Sequence, residues 1–156
     1  MMRPLRVYLD TCVFGGAFDV EFANATQEFF AQVRTGRFHL VVSALVEDEV
    51  ENAPMPVRDL LNEMLKYGET VFPTEEALQL QQAYLDAGVL TPKWADDALH
   101  VAMATVTNCS YIISWNFKHI VHCEKIPRYN AINEIQGYRP LAIYSPLEVI
   151  HYEEEI

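Results

Sequence analysis

The chain has 156 residues, the length of one ordinary domain, and a chain of that size buries ~68–70% of the surface it exposes when unfolded. Hydrophobic residues make up 51% and charged residues 21%, which excludes a disordered, coiled-coil or low-complexity chain. Eleven Lys and Arg against 22 Asp and Glu leave a net charge of −11, which excludes a protein that coats nucleic acid by bulk charge but not an enzyme that touches it locally.

Residues 6–9 (RVYL) read as a first strand that stops at Asp10. Gly15-Gly16 then reads as a flexible stretch. Residues 22–33 carry apolar side chains at 22, 25, 29, 30 and 33, a helical stripe closed by Gly36. Residues 38–42 (FHLVV) form a second strand, and Ser43 offers an N-cap for a helix running to about Val50. Pro54 and Pro56 punctuate before a helix over 57–66. A brief strand at 70–72 precedes a helix capped by Thr74 and reaching Gly88, with Glu75 and Glu76 at its positive end.

Thr91-Pro92 pairs an N-cap with proline at the first helical position, and the helix it opens holds Asp96, Asp97 and His100. Residues 111–114 (YIIS) and 141–144 (LAIY) read as apolar strands. Ser145-Pro146-Leu147-Glu148 is a capping box that starts a short last helix. Neither an internal repeat nor a linker interrupts the pattern, so residues 1–156 read as a single domain. Short apolar strands alternating with helices predict an α/β fold with a mostly parallel central sheet and helices on both faces.

Cys12, Cys109 and Cys123 are widely spaced and lack a CxxC pair, as expected in a reducing compartment. The first ten residues lack a signal-peptide core. Residues 98–117 contain no Asp, Glu, Lys or Arg, yet His100, Thr105, Thr107, Asn108, Ser110, Ser114 and Asn116 make them a buried helix and strand, not a membrane span. A soluble, cytoplasmic protein is expected.

In parallel sheets function collects beyond the carboxyl ends of the strands. Asp10 follows strand one, Glu49 lies in the helix after strand two, and Asp97 lies near the start of the Thr91-Pro92 helix. Asn116 follows the YIIS strand. Carboxylates gathered from separate elements repel and are costly to desolvate without a compensating cation. Oxygen-only ligation completed by water and substrate phosphate is the way hard Mg²⁺ is usually held. Asp10 also has a plain reading as a turn cap, Glu49 as part of a solvated acidic run, and Asp96 as a dipole partner.

VYLDTCVFGGAF, VVSALVEDEVE and DDALHVAMATVTNCSYIISWNFKHI together resemble the successive motifs of PIN-domain nucleases. The likeness spans residues 7–120 most clearly. It matches Asp10 to the family's first aspartate, Glu49 to the glutamate counted from Ser43, Asp97 to the acid of the D-A-x-x-x-A-x-A helix, and Asn116 to a last position that is Asp in many members. The resemblance implies a PIN-like three-layer domain and an endoribonuclease dependent on Mg²⁺ or Mn²⁺, with Asp10, Glu49 and Asp97 as metal carboxylates and Asn116 assisting. It also implies kinship with VapC-type toxins, whose partners are antitoxin-like protein inhibitors. The Trp-Asn-Phe-Lys-His segment is less typical of those toxins. The alternative reading is a catalytically weak PIN-like module that binds RNA or a protein.

Thr11 is either an ordinary turn hydroxyl or the group that orients Asp10 or a water. Lys118 and His119 follow Asn116 and are expected at the rim of the acidic pocket, contacting RNA. They belong to a window, 115–139, that leans basic and carries Phe117, Tyr129 and Tyr138, the composition of a single-strand binding loop. His119, His122 and Cys123 form HxxHC without the second ligand pair that zinc would need. The apolar faces holding Phe22, Phe29, Phe30 and Val33, and Leu60, Leu61 and Leu65, suggest a homodimer.

Overall fold

The computed structural model describes residues 3–152. In chain order the strands are β1 (Leu5–Leu9), β2 (Phe38–Ser43), β3 (Gly68–Val71), β4 (Tyr111–Ile113) and β5 (Ala142–Tyr144). The helices are α1 (Thr11–Gly16), α2 (Ala23–Arg34), α3 (Ala44–Val50), α4 (Met55–Met64), α5 (Glu75–Asp86), α6 (Ala95–Val106), α7 (Ile126–Ile135) and α8 (Pro146–Val149). Short 3-10 turns at Leu65–Tyr67 and Pro92–Trp94 lead into β3 and α6.

All pairings in the five-stranded sheet are parallel, in the order β3-β2-β1-β4-β5. Both faces are covered, so neighbouring strand residues are buried in opposite directions. Val7, Leu9, Leu40, Val42 and Ile113 pack with residues of α1–α4 and α8. Tyr8, Val41 and Ile112 pack with residues of α5, α6 and α7. This is the expected three-layer α/β arrangement, with the sheet wholly parallel.

Asp10 caps α1 by accepting from the Thr11 amide, and Ser43 and Thr74 cap α3 and α5 as their positions predict. The Ser145–Glu148 capping box is formed. Close packing explains one glycine: a Cβ at Gly68 would lie 1.9 Å from the Leu40 carbonyl oxygen, so β3 can approach β2 only without a side chain there.

Several expectations need correction. Gly15-Gly16 is not a flexible stretch: it ends helix α1, and a Cβ at Gly16 would lie 2.8 Å from the Trp115 ring. Thr91 makes no side-chain cap, because proline opens a 3-10 turn and α6 begins only at Ala95. Much of the window 115–139 is helix α7. It docks through buried Tyr129 and Asn133, one turn apart, and its apolar stripe is too narrow to show as a period. Tyr129 meets Tyr84 edge to face at 4.9 Å, and the Tyr84 hydroxyl donates to Asn133.

The faces expected to pair two copies are largely used internally: Phe29, Phe30, Val33 and Leu61 are buried, and Leu60 and Leu65 pack against the same core. Phe29, Phe30, Val33 and Leu61 are therefore core side chains, while Phe22, Leu60 and Leu65 stay half-buried. Among the described residues no helix is long and apolar enough to cross a membrane.

Candidate active site

From β1 the chain winds outward through β2 and β3, then crosses back to place β4 on the other side of β1. The order thus reverses between β1 and β4, where α/β sheets open a crevice at their carboxyl ends. Asp10 lies there, its amide donating to the Ile113 carbonyl at 3.0 Å. Its carboxylate is 4% exposed and surrounded by donors. The Thr11 amide reaches Oδ1 at 2.7 Å, while the Ser114 hydroxyl at 2.7 Å and the Cys12 thiol at 3.3 Å reach Oδ2. Burial and the Asp10 charge push the Cys12 thiol far up, so it stays protonated and donates.

His100, projecting from α6, is buried behind Asp10. Its Nε2 lies 2.7 Å from Glu49 Oε1 and 3.5 Å from Asp10 Oδ1, and its Nδ1 lies 2.7 Å from the Tyr8 hydroxyl. Tyr8 donates onward to Ser43 Oγ at 2.7 Å. Burial opposes a charge on His100, but the Asp10 charge, the hydrogen bond from His100 to Glu49 and the charges of Glu49 and Asp97 outweigh it and raise its pKa. Glu49 is also pushed up by desolvation, yet His100 and the Thr11 hydroxyl, 3.2 Å away, bring it below its ordinary value. The Thr11 hydroxyl thus reaches Glu49, while only its backbone amide reaches Asp10.

Asp97 lies on the same side of α6 as His100, three residues earlier. Desolvation first, and the Asp10 charge second, raise its pKa, against the pull of His119 and Asn116. His119 Nδ1 lies 2.9 Å from Asp97 Oδ2, and the His119 amide donates to Asn116 Oδ1 at 2.9 Å. Asn116 in turn is tied to the strand end, its amide donating to Ser114 Oγ at 2.9 Å. Asp10, Asp97 and Asn116 are thus brought together through Ser114 and His119.

Two site residues sit in settings other than those expected. Glu49 meets Asp10 through a shared neighbour, His100 Nε2, 2.7 Å from Glu49 Oε1 and 3.5 Å from Asp10 Oδ1. Among the described residues no three of the His, Cys, Asp and Glu side chains are placed to hold an ion together. His119 is not a rim group: it is buried, stacked on Trp94 at 4.3 Å, and faces Asp97. Lys118 is exposed, as expected. Lys125 donates to the Val89 carbonyl and Arg128 to those of Ala87 and Gly88, so they secure the end of α5. His122 accepts from the Glu124 amide, and Cys123 is exposed.

Sequence reading passed over Ser114, Cys12, Tyr8 and Trp94 as parts of the site. The legible signal was Ser114, which directly follows β4 much as Ser43 ends β2. The donor set is suited in type to a hard divalent ion: Asp10 and Asp97 offer oxygen from facing elements, and their mutual repulsion is what a cation would relieve.

No protein-family model matches the chain, and no curated protein matches its sequence. Solved structures do match its shape. VapBC2 from Rickettsia felis, crystallised bound to a DNA fragment from the promoter, has a TM-score of 0.60 at 14% identity, covering 90% of this chain and 98% of that one. FitAcB from Neisseria gonorrhoeae has a TM-score of 0.59 at 12% identity, covering 92% of this chain and 99% of that one. With the parallel sheet and its helical layers, the likeness shows that this chain has the VapC-like PIN fold.

Proposed function

We propose that the protein is a divalent-metal-dependent endoribonuclease that hydrolyses RNA phosphodiester bonds. The observation that carries this reading is the pair Asp10–Asp97 at the switch point, where burial and, second to it, the Asp10 charge raise the Asp97 pKa. Asp10 and Asp97 would hold Mg²⁺ or Mn²⁺. Glu49 would act from behind, by keeping His100 charged beside Asp10. The bound ion would supply Lewis-acid polarisation of a phosphodiester oxygen and a more acidic water.

The chain's own residues do the rest. Ser114, Cys12 and the Thr11 amide fix the Asp10 carboxylate in one orientation. His119 and Asn116 fix Asp97. Such preorganisation lets a site stabilise charge without rearranging during the reaction. Asn116, a neutral amide where the resembled family often has Asp, orients a water or a phosphate oxygen without adding to the repulsion.

The VapC-type sequence motifs and the likeness to VapBC2 and FitAcB support a toxin role, restrained by a small antitoxin-like protein. The test is incubation with a mixed pool of structured RNAs, with and without Mg²⁺ or Mn²⁺. Wild type should cut in a metal-dependent way and Asp97→Asn should not. Equal residual cleavage by both proteins would reject the reading.

A further inference from the structure

A chain of net charge −11 admits a polyanion to a pocket of carboxylates only where local cations outweigh the overall field. Most of the structure's cations are engaged elsewhere. Arg6 pairs with Glu69, Arg34 pairs with Glu63, and Lys125 and Arg128 bind carbonyls at the end of α5. Lys93 and Lys118 are different. Both are exposed, neither makes a salt bridge or side-chain hydrogen bond among the described residues, and both reach the same indole: their Nζ atoms lie 5.0 and 5.6 Å from the Trp94 ring centre.

That indole stands at the edge of the site. Trp94 packs on His119, and His119 bonds Asp97 at 2.9 Å, so both lysines are fixed one side chain away from the carboxylate. On the other side of Lys118 in sequence, Phe117 presents an aromatic ring that is 47% exposed. Trp115 at 5.9 Å and Phe22 at 6.4 Å brace it. Two cations on one indole and an open ring next to one of them in the chain match the alternation of phosphate and base along a single strand. A duplex keeps its bases stacked inside and could not use the ring.

We infer that Lys93, Lys118 and Phe117 seat single-stranded RNA beside the Asp10–Asp97 pocket: the lysines take phosphates flanking the bond to be cut, and Phe117 stacks a base. Trp94 is a positioning residue that holds the lysines and links them to His119. This inference rests on the ribonuclease reading and names its substrate class.

The experiment measures fluorescence anisotropy of a labelled single-stranded RNA oligonucleotide, with divalent ions chelated, across a salt series. Lys93→Ala/Lys118→Ala should bind about tenfold more weakly and flatten the log–log salt slope by roughly 1.4, the value for two phosphates of a single strand. Phe117→Ala should bind at least about fivefold more weakly with the slope unchanged, because stacking releases no counterions. These surface changes avoid Trp94, whose removal would disturb Asp97 through His119.

Wild-type affinity in both variants overturns the seat and leaves the exposed ring to a protein partner. Equal wild-type affinity for duplex RNA overturns the single-strand assignment. If wild type cuts RNA while both variants bind and cut as it does, the seat fails and the ribonuclease reading stands. If wild type neither binds nor cuts RNA, both fail.

Discussion

His100 and His119 each face a carboxylate at the same end of the sheet, yet the two halves of the site differ in burial and charge. The His100 half is interior: Tyr8, Ser43 and Asp10 enclose it, and Glu49 completes an ion pair that lowers the pKa of Glu49 and raises that of His100. The His119 half is packed under Trp94 at the rim, and there the carboxylate's pKa moves up instead of down. Similar residue types thus give opposite electrostatic results. One half sets a buried imidazole between two carboxylates; the other leaves Asp97 in conflict with Asp10. Carboxylates whose environments push their pKa values apart are the usual mark of divided roles in a site.

The largest effect expected is on cleavage. Removing the negative charge of Asp10 or Asp97 should lose several kcal/mol of transition-state stabilisation, a fall in rate on the order of 10³-fold, measured on an RNA pool. Stability should separate this half of the site from the other. Because the Asp97 pKa is raised, its ionisation costs stability as pH rises through the folded value. Asp97→Asn should then be more stable than wild type at neutral pH without metal, by about 0.5–1 kcal/mol in urea unfolding. A destabilised Asp97→Asn would show that its bond with His119 outweighs the repulsion.

His100→Gln should do the reverse and destabilise the fold, by about 3 kcal/mol, since it strands Glu49 and Asp10 without their cation. The sign of its pH dependence follows from both shifts. The His100 contribution is complete below its ordinary value of 6.5 and is lost as pH rises through the raised folded value. The Glu49 contribution is present above its ordinary 4.5 and is lost as pH falls through the lowered one. The gap between wild type and His100→Gln should therefore be widest between those ordinary values and should shrink toward alkaline pH. A gap that grows above neutrality would mean that His100 is neutral in the folded protein.

Divalent ions should stabilise wild type by mass action, by about 2.7 kcal/mol at a hundredfold excess over Kd, and should leave Asp10→Asn/Asp97→Asn unmoved in a thermal melt. Glu49→Gln should keep most of that response if Glu49 works through His100 and not as a ligand. The smallest effect is expected at Asn116. Asn116→Asp keeps the acceptor for the His119 amide but adds charge beside Asp97, so apo stability should fall by about 1 kcal/mol while metal affinity rises. Asn116→Ala should slow cleavage less than Asp97→Asn does. Unchanged affinity in Asn116→Asp would place residue 116 outside the ion's reach.

The sequence by itself determined the layers of this protein. Alternating strands and helices, the caps at Ser43 and Thr74, and the box at Ser145 are local signals whose physics acts within a few residues, and each appears where expected. The order of Asp10, Glu49, Asp97 and Asn116 also pointed to one end of the sheet, because residues after parallel strands necessarily gather there. Tertiary structure decided what the residues do on arrival. It made a helix of Ile126–Ile135 through the contacts of Tyr129 and Asn133, and set Lys125 and Arg128 of the basic window on carbonyls at the end of α5. It also drew Glu49 to His100 and His119 to Asp97, and stood two lysines over Trp94. Apart from Lys93 beside Trp94, these pairings join groups far apart in the chain, and a buried charge takes whichever partner the packed layers put within reach. Sequence spacing sets the candidates; burial selects among them.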